Sequence, residues 1–383
     1  MSSKYNFSEF TDLPAVLFNE NDSITKLFVT INTADLLYES DDELRAIKAR
    51  YSIHYDLFTS YTDNNIIDSN TVCFVDSMGV TGVIIPHNFD IKAKSGRNYI
   101  VKIKLNDLNS GEFVIDYKNL AKEIPNSRND FLLLDQNERF LDYPYVNSSS
   151  RYQLKNNNNP GKLIVRYYNR EFPIALPPFV ENKIEKFDYT PDSSFQLIMV
   201  DSMAELSFPD VGFYHFQADT TNRNGISMFN YYDGFPELVN FEQLLEPLRY
   251  ITSLDEFETL EAIGDDKLAV DEFWLNNAGN PMRARNMIKK FYNRVVDANV
   301  FFSCHQEGWK TDRGLVYIVF GPPKLVYFSD DTEEWIYGEE GHINSIRFQF
   351  YKIRNPFTDN DYSLLKSLAF KEKWYEAVNM WRR

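Results

Sequence analysis

Between Ala49 and Phe58, in "ARYSIHYDLF", apolar and polar positions alternate: Tyr51, Ile53, Tyr55 and Leu57 fall on one side, Ser52, His54 and Asp56 on the other. A period of two is what a strand with one buried face requires. "NYIVKIKLND" repeats the device, with Tyr99, Val101, Ile103 and Leu105 opposed to Lys102 and Lys104. Shorter runs of the same kind, "KLFVTI", "TVCFVDS", "GVIIPH" and "EFVIDYK", are separated by polar turns, a spacing that predicts an antiparallel sandwich. A second series follows in "DFLLLDQ", "KLIVRYY", "SFQLIMVDS", "AELSF" and "GFYHFQAD". "VNSSSRYQLKNNNNPG" and "PDSS" read as loops, because Asn, Ser, Pro and Gly favour turns.

From about residue 241 the period lengthens. "FEQLLEPLRYITSLDEFETLEAI" and "DDKLAVDEFWLNN" have helical spacing, and "GNPMRARNMIKKFYNRVVDAN" carries an apolar stripe of Met287, Ile288, Phe291, Tyr292, Val295 and Val296. Pro281, after Gly279 and Asn280, suits a helix start. Farther on, "LVYIVF", "EEWIY" and "SIRFQFYKI" are expected as strands and "SLLKSLAFKEKWYEAVNMWRR" as a closing helix. The expected fold class is mixed β and α+β: two antiparallel β-sandwich-like domains followed by an α+β C-terminal domain. The divisions fall at a polar N-terminal tether over 1–24, a β-sandwich over 25–122, a β-sandwich-like domain over 123–240 and an α+β domain over 241–383.

Composition supports the last boundary. All five Trp lie in the final third, at Trp274, Trp309, Trp335, Trp374 and Trp381. From residue 264 onward Lys+Arg and Asp+Glu balance at 17 each, so the whole net charge of −16 belongs to the front of the chain. An acidic front has no counterion-release drive toward nucleic acid or anionic lipid, and neither is expected as a partner. A hydrophobic content of 43% over 383 residues is enough to bury several cores without staples. Cys73 and Cys304 are the only cysteines and are far apart, which offers no paired spacing for zinc. His54, His87, His215, His305 and His342 show no paired spacing either, "DTEEW" and "FTDNDYS" lack a full calcium-loop pattern, and no G-x-G-x-x-G or G-K-[ST] occurs. No metal and no cofactor are expected.

The densest cluster of chemistry is "HQEGWKTDRGLVYIVFGPP", residues 305–323. Gly308 permits a tight turn and Trp309 can bury a large ring beside it. Thr311 and Asp312 carry short oxygens able to accept backbone N–H groups, and Gly321, Pro322 and Pro323 would stop the strand that follows. On this reading the motif ties a helix to a strand. A catalytic reading takes His305, Glu307 and Asp312 as acid and base groups, with Arg313 available for an anion. Ser303 and Cys304 are close in sequence, which says little about a nucleophile because triads assemble in space.

The same stretch resembles the signature of the GWxTD-domain family, bacterial envelope-associated proteins of Bacteroidota and related lineages. The resemblance rests on Gly308, Trp309, Thr311 and Asp312, then Arg313, Gly314, Tyr317, Gly321, Pro322 and Pro323, with support from Arg294, Trp335 and the terminal "WYEAVNMWRR". It implies an exported protein of the periplasm or outer membrane, often a lipoprotein, with the anchor preceding residue 1. It supplies no agreed catalytic residues. The start, "MSSKYNFSEFTDLPAVLFNEND", has no basic and apolar leader, and no stretch approaches ~20 apolar residues. The tether reading is therefore set beside that of a soluble cytoplasmic chain with a frayed end.

The resulting expectation is a non-enzymatic interaction or scaffold subunit of an outer-membrane-associated assembly, with an envelope protein as partner. Two alternatives stand beside it: a hydrolase of envelope polymers using Glu307 and Asp312, and a glycan-binding surface protein presenting Tyr231, Tyr232 and Phe235 from "FNYYDGF". The hydrolase needs both carboxylates in one open cleft.

Overall fold

The computed structural model describes residues 3–6, 13–41, 46–77, 79–181 and 187–382. Residues 1–2 and 7–12 of the expected tether and Arg383 of the expected closing helix lie outside them. The chain forms two compact units, one of Met1–Tyr168, Pro191–Phe229 and Leu325–Asp330, the other of Asn169–Thr190, Asn230–Lys324 and Asp331–Arg383.

The first unit is antiparallel β-structure around two separate cores. Its leading strands are β1 (Ser3–Asn6), β2 (Ala15–Asn19), β3 (Ile24–Asn32), β4 (Glu39–Asp41), β5 (Ala46–Phe58), β6 (Asp68–Asp76), β7 (Ile84–Lys92), β8 (Tyr99–Asp107) and β9 (Phe113–Leu120). One sheet runs β2-β3-β7; the other runs β4-β5-β8-β9, with β6 also paired to β5. The alternation of β5 is realised in its register, Ile53 opposite Leu105 and Tyr55 opposite Ile103. Tyr51, Ile53, Tyr55 and Leu57 join Leu27, Val29, Ile31, Val101 and Ile103 in the first core. Ala15–Asn19, within the stretch expected as a polar tether, is a sheet strand, because Ala15 and Leu17 bury their side chains in that same core.

The second core belongs to β10 (Phe131–Asp135), β11 (Tyr152–Asn156), β12 (Lys162–Tyr168), β13 (Ser193–Ile198), β14 (Met203–Leu206), β15 (Gly212–Gln217) and β16 (Ile226–Asn230). They form a β10-β11-β14 sheet and a β13-β12-β15-β16 sheet. Leu133, Leu154, Leu163, Val165, Phe208 and Phe216 fill the space between. β11 corrects the loop expected over "VNSSSRYQLKNNNNPG": Tyr152 and Leu154 alternate into the core between two polar flanks. β17 (Leu325–Phe328) pairs with β1.

The second unit is α+β. It holds α1 (Phe241–Leu245), α2 (Leu254–Glu261), α3 (Asp266–Ala278), α4 (Pro281–Phe302), α5 (Asp312–Phe320), β18 (Thr332–Tyr337), β19 (Ile346–Lys352), β20 (Tyr362–Leu364) and α6 (Lys371–Met380). Helix boundaries follow their caps. Ser253 and Glu256 exchange the reciprocal bonds of a capping box at α2, Asn280 accepts the Arg283 N–H ahead of Pro281 at α4, and Gly279 ends α3 in the left-handed region. The expected stripe of α4 is graded, with Phe291, Tyr292 and Val295 buried and Met287, Ile288 and Val296 half-buried. All five Trp are buried in this unit.

Two expectations are corrected here. "LVYIVF" is the body of helix α5 and not a strand. Leu315 through Val319 are all buried, so the run shows no period by which to recognise either element. The closing helix is shorter than expected, since Tyr362–Leu364 pairs as a strand with β19 before the helix begins at Lys371.

Candidate functional site

The turn over residues 308–312 lies against the last turn of α4. Ser303 Oγ donates to the Asn299 carbonyl at 2.6 Å and accepts the Gly308 N–H at 2.8 Å. Asn299 is fully buried: its Oδ1 accepts the Trp309 N–H at 3.2 Å, and its Nδ2 donates to the Pro236 carbonyl at 3.1 Å. Glycine is needed at 308 for close approach and not for an unusual dihedral. A Cβ there would fall 1.8 Å from the Ala298 carbonyl oxygen and 2.9 Å from Asn299 Cα. Trp309 is buried at once, its ring edge-on to Tyr250 at 5.9 Å and its carbonyl accepting the Tyr250 hydroxyl at 2.9 Å.

Thr311 starts α5. Its Oγ1 accepts the Gly314 N–H at 3.0 Å and donates to the Gly308 carbonyl at 2.8 Å, closing the turn on itself. Asp312 occupies the first turn, where the helix end favours an anion. Its Oδ2 accepts the Leu364 N–H at 2.9 Å, and its Oδ1 lies 3.4 Å from Lys366 Nζ. Arg313 is buried, and both of its terminal nitrogens are hydrogen-bonded. Its guanidinium donates to Glu333 at 2.9 Å and to the Asn360 carbonyl at 2.9 Å, with its flat face over the Tyr362 ring at 4.2 Å. Glu333 in turn accepts the Trp335 indole N–H at 2.6 Å, and Asn360 donates to the Phe301 and Ser303 carbonyls. A buried ion pair held in this way has its remaining lone pairs satisfied, the condition under which it is tolerated.

The far end of α5 is sealed with equal care. Arg294 donates to the Ile318 carbonyl at 2.9 Å and the Val319 carbonyl at 3.3 Å, Trp381 Nε1 donates to Val319 at 3.1 Å, and the Tyr337 hydroxyl to Gly321 at 2.7 Å. These satisfy carbonyls that a helix terminus otherwise leaves open. Gly321 has φ +86°, and Pro322 and Pro323 forbid another helical turn, so they stop a helix and not the expected strand.

The residues weighed for catalysis are accounted for individually. Glu307 pairs with Lys310, whose ammonium also lies 5.3 Å from the Trp309 ring centroid. Asp312 is committed to a backbone N–H and a lysine, the opposite of an acid or base facing open solvent. His305 is set among aromatic rings, with Phe172 at 4.3 Å and Phe187 at 6.3 Å, and burial pulls its imidazole down to about 4. Tyr231, Tyr232 and Phe235 are half-buried and pack on one another at 4.4 and 5.4 Å, and the Tyr231 hydroxyl donates to the Cys304 carbonyl at 2.6 Å. They face this turn instead of standing out as a platform. Two backbone bonds tie residues 175–178 to this unit, Ala175 N–H to the Lys310 carbonyl and Ser367 N–H to the Pro178 carbonyl, both 2.9 Å.

Sequence reasoning missed Asn299, Glu333 and Asn360. Their partners lie 10, 20 and 47 residues away along the chain, and no local spacing announces them. It also missed Asp361, which stands with Cys304 and His305 so that one ligand atom from each falls within 4.8 Å of the others.

Residues 212–383 match the GWxTD domain, and the chain therefore carries that domain with the turn described above inside it. No curated protein matches the chain. Among solved structures, the crystal structure of red sea bream transglutaminase is similar over 58% of this chain and 32% of its own, at 8% identity and a TM-score of 0.21. This chain thus spans about a third of that protein, and a likeness so slight carries nothing about activity.

Proposed function

We propose that this chain is a non-enzymatic subunit of a bacterial cell-envelope assembly, exported to the periplasm or outer membrane and contacting a protein partner through the outer surfaces of its β-domains. The observation that carries the reading is the engagement of the charged and hydroxyl side chains between Glu307 and Arg313. Thr311, Asp312, Arg313 and Glu307 each hold a backbone group or a counter-charge of the same unit. A cluster so occupied locks α5 in place and has no capacity to spare for substrate. The GWxTD domain supports an envelope role by family likeness.

A surface for docking is at hand on β13. Among the described residues it is an edge strand, paired on one side to β12, with Phe195 49% and Ile198 60% exposed, and Val200 just beyond it 67% exposed. Edge strands present unpaired backbone groups, and natural proteins ordinarily blunt them. An apolar edge left open fits strand addition by a partner. No helix among the described residues is long and apolar enough to cross a membrane.

The test is cross-linking in living cells of the source bacterium followed by affinity capture and mass spectrometry. A reproducible envelope protein, cross-linked to the β-domains, supports the reading. Recovery of a lone monomer, or hydrolysis of envelope polymers by the purified chain, overturns it.

A further inference from the structure

Cys304, His305 and Asp361 form a cluster that the lock around α5 does not use. Cys304 is 1% exposed and is a free thiol. The Nδ1 atom of His305 is buried without a hydrogen-bond partner and points at Asp361 Oδ2 from 3.8 Å, too far for a hydrogen bond. Gln306 Oε1, on the next residue, is a second buried polar atom with no hydrogen-bond partner. Asp361 is oriented from behind by Asn355 Nδ2, which donates to the same Oδ2 at 2.9 Å. Unmet buried polar atoms are uncommon in folded proteins and ask for an explanation.

We propose that Cys304, His305 and Asp361 bind a borderline-soft divalent cation of the zinc class. The sulfur, nitrogen and oxygen donors match what Zn2+ takes from proteins and do not match Mg2+ or Ca2+, which seek oxygen alone. Three protein ligands leave a fourth position for water. Tetrahedral coordination at zinc distances sets ligand separations of roughly 3.4–3.6 Å, so the 3.8 Å pair needs only a small adjustment and the widest pair, at most 4.8 Å, about 1 Å of closure. Charge also fits. Binding displaces the thiol proton to solvent, and one thiolate with one carboxylate then neutralises the cation in a buried place, while nearby Arg313 is already matched by Glu333.

A cation gives the cluster a purpose that nucleophilic chemistry does not. Burial pushes the Cys304 thiol up to about 12, so without a metal it is protonated and inert at neutral pH. The site is reachable, since the side chains of His305 and Asp361 keep 16% and 13% of their surface exposed.

The test uses the full chain, stripped with a chelator and titrated with Co2+ as a spectroscopic stand-in. The expected result is one Co2+ per chain with a sulfur-to-cobalt charge-transfer band, displaced by Zn2+. Cys304→Ser abolishes the band, and Cys73→Ser, at the exposed cysteine, leaves it unchanged. His305→Gln and Asp361→Asn weaken binding at least about 10–100-fold. These two partly exposed positions carry the test if Cys304→Ser fails to fold, which circular dichroism reports. Absence of stoichiometric binding, or a Co2+ spectrum that lacks the thiolate band, overturns the proposal. So does affinity that survives loss of His305 and Asp361.

Discussion

Gly314 lies directly on the carbonyl of Gly308: a Cβ placed on Gly314 would come within 1.9 Å of that oxygen, just as a Cβ on Gly308 would come within 1.8 Å of the Ala298 oxygen. Three backbone layers are thus stacked with no side chain between them. Gly308→Ala or Gly314→Ala is expected to cost about 3 kcal/mol or more, because backbone must move to admit the methyl group. Gly264, at φ +69° with open space around it, is the control, and its alanine variant costs only roughly 1–2 kcal/mol. Tryptophan fluorescence in urea measures both, since every Trp reports on the second unit. Equal losses at the three positions would argue against the stacking.

The Arg313–Glu333 pair predicts a non-additive outcome. Arg313→Met leaves Glu333 charged and buried, and the loss is expected at about 3–5 kcal/mol. Arg313→Met combined with Glu333→Gln removes the stranded charge and recovers part of that loss, giving a coupling energy of about 1–3 kcal/mol in a double-mutant cycle. Simple addition of the two single effects contradicts a functional pair.

His215 in the first unit makes acid stability measurable. Its Nε2 donates to the Arg223 carbonyl at 3.1 Å and its Nδ1 accepts from Ser227 Oγ at 2.8 Å, and burial lowers its pKa from 6.5 to about 4. Between those values the unfolded chain takes up a proton that the folded chain refuses. Stability therefore falls as the pH drops through this window and levels off below it, by up to roughly 3 kcal/mol from this residue. His215→Gln should flatten that part of the pH profile, followed by far-ultraviolet circular dichroism. An unchanged slope would assign the acid loss to other groups.

The exposed edge of β13 predicts a separation of stability from association. Phe195→Lys with Ile198→Lys, at positions already facing water, should leave the melting transition within about 0.5 kcal/mol of the parent per substitution. The same variant should lose the partner cross-linked by the parent chain. Retention of that partner would move the docking surface elsewhere.

Much of the β-structure was legible because half-buried strands write their geometry into alternation, as β5 does from Tyr51 to Leu57. The long amphipathic α4 was legible for the analogous reason at a different period. α5 was not, because its Leu315–Val319 run is buried all round and erases the pattern; the usable signal was Thr311 followed by Asp312, a cap and a first-turn acid. Gly308 reads in the sequence as a turn former, whereas the structure needs it for the approach of the Ala298 carbonyl. A close approach between distant backbones leaves no mark in the local sequence. The Cys304, His305 and Asp361 cluster is beyond any spacing rule, since its third member arrives 56 residues after its second.

The hydrogen bond from Trp381 to the Val319 carbonyl spans 62 residues and closes the end of a helix that starts at Asp312. During synthesis, then, α5 leaves the ribosome well before its clasp exists, with Arg294 already made and the indole still to come. Until Trp381 follows, Arg294 holds the Val319 carbonyl alone, so the grip on this helix is assembled in two instalments from opposite sides of it in the chain.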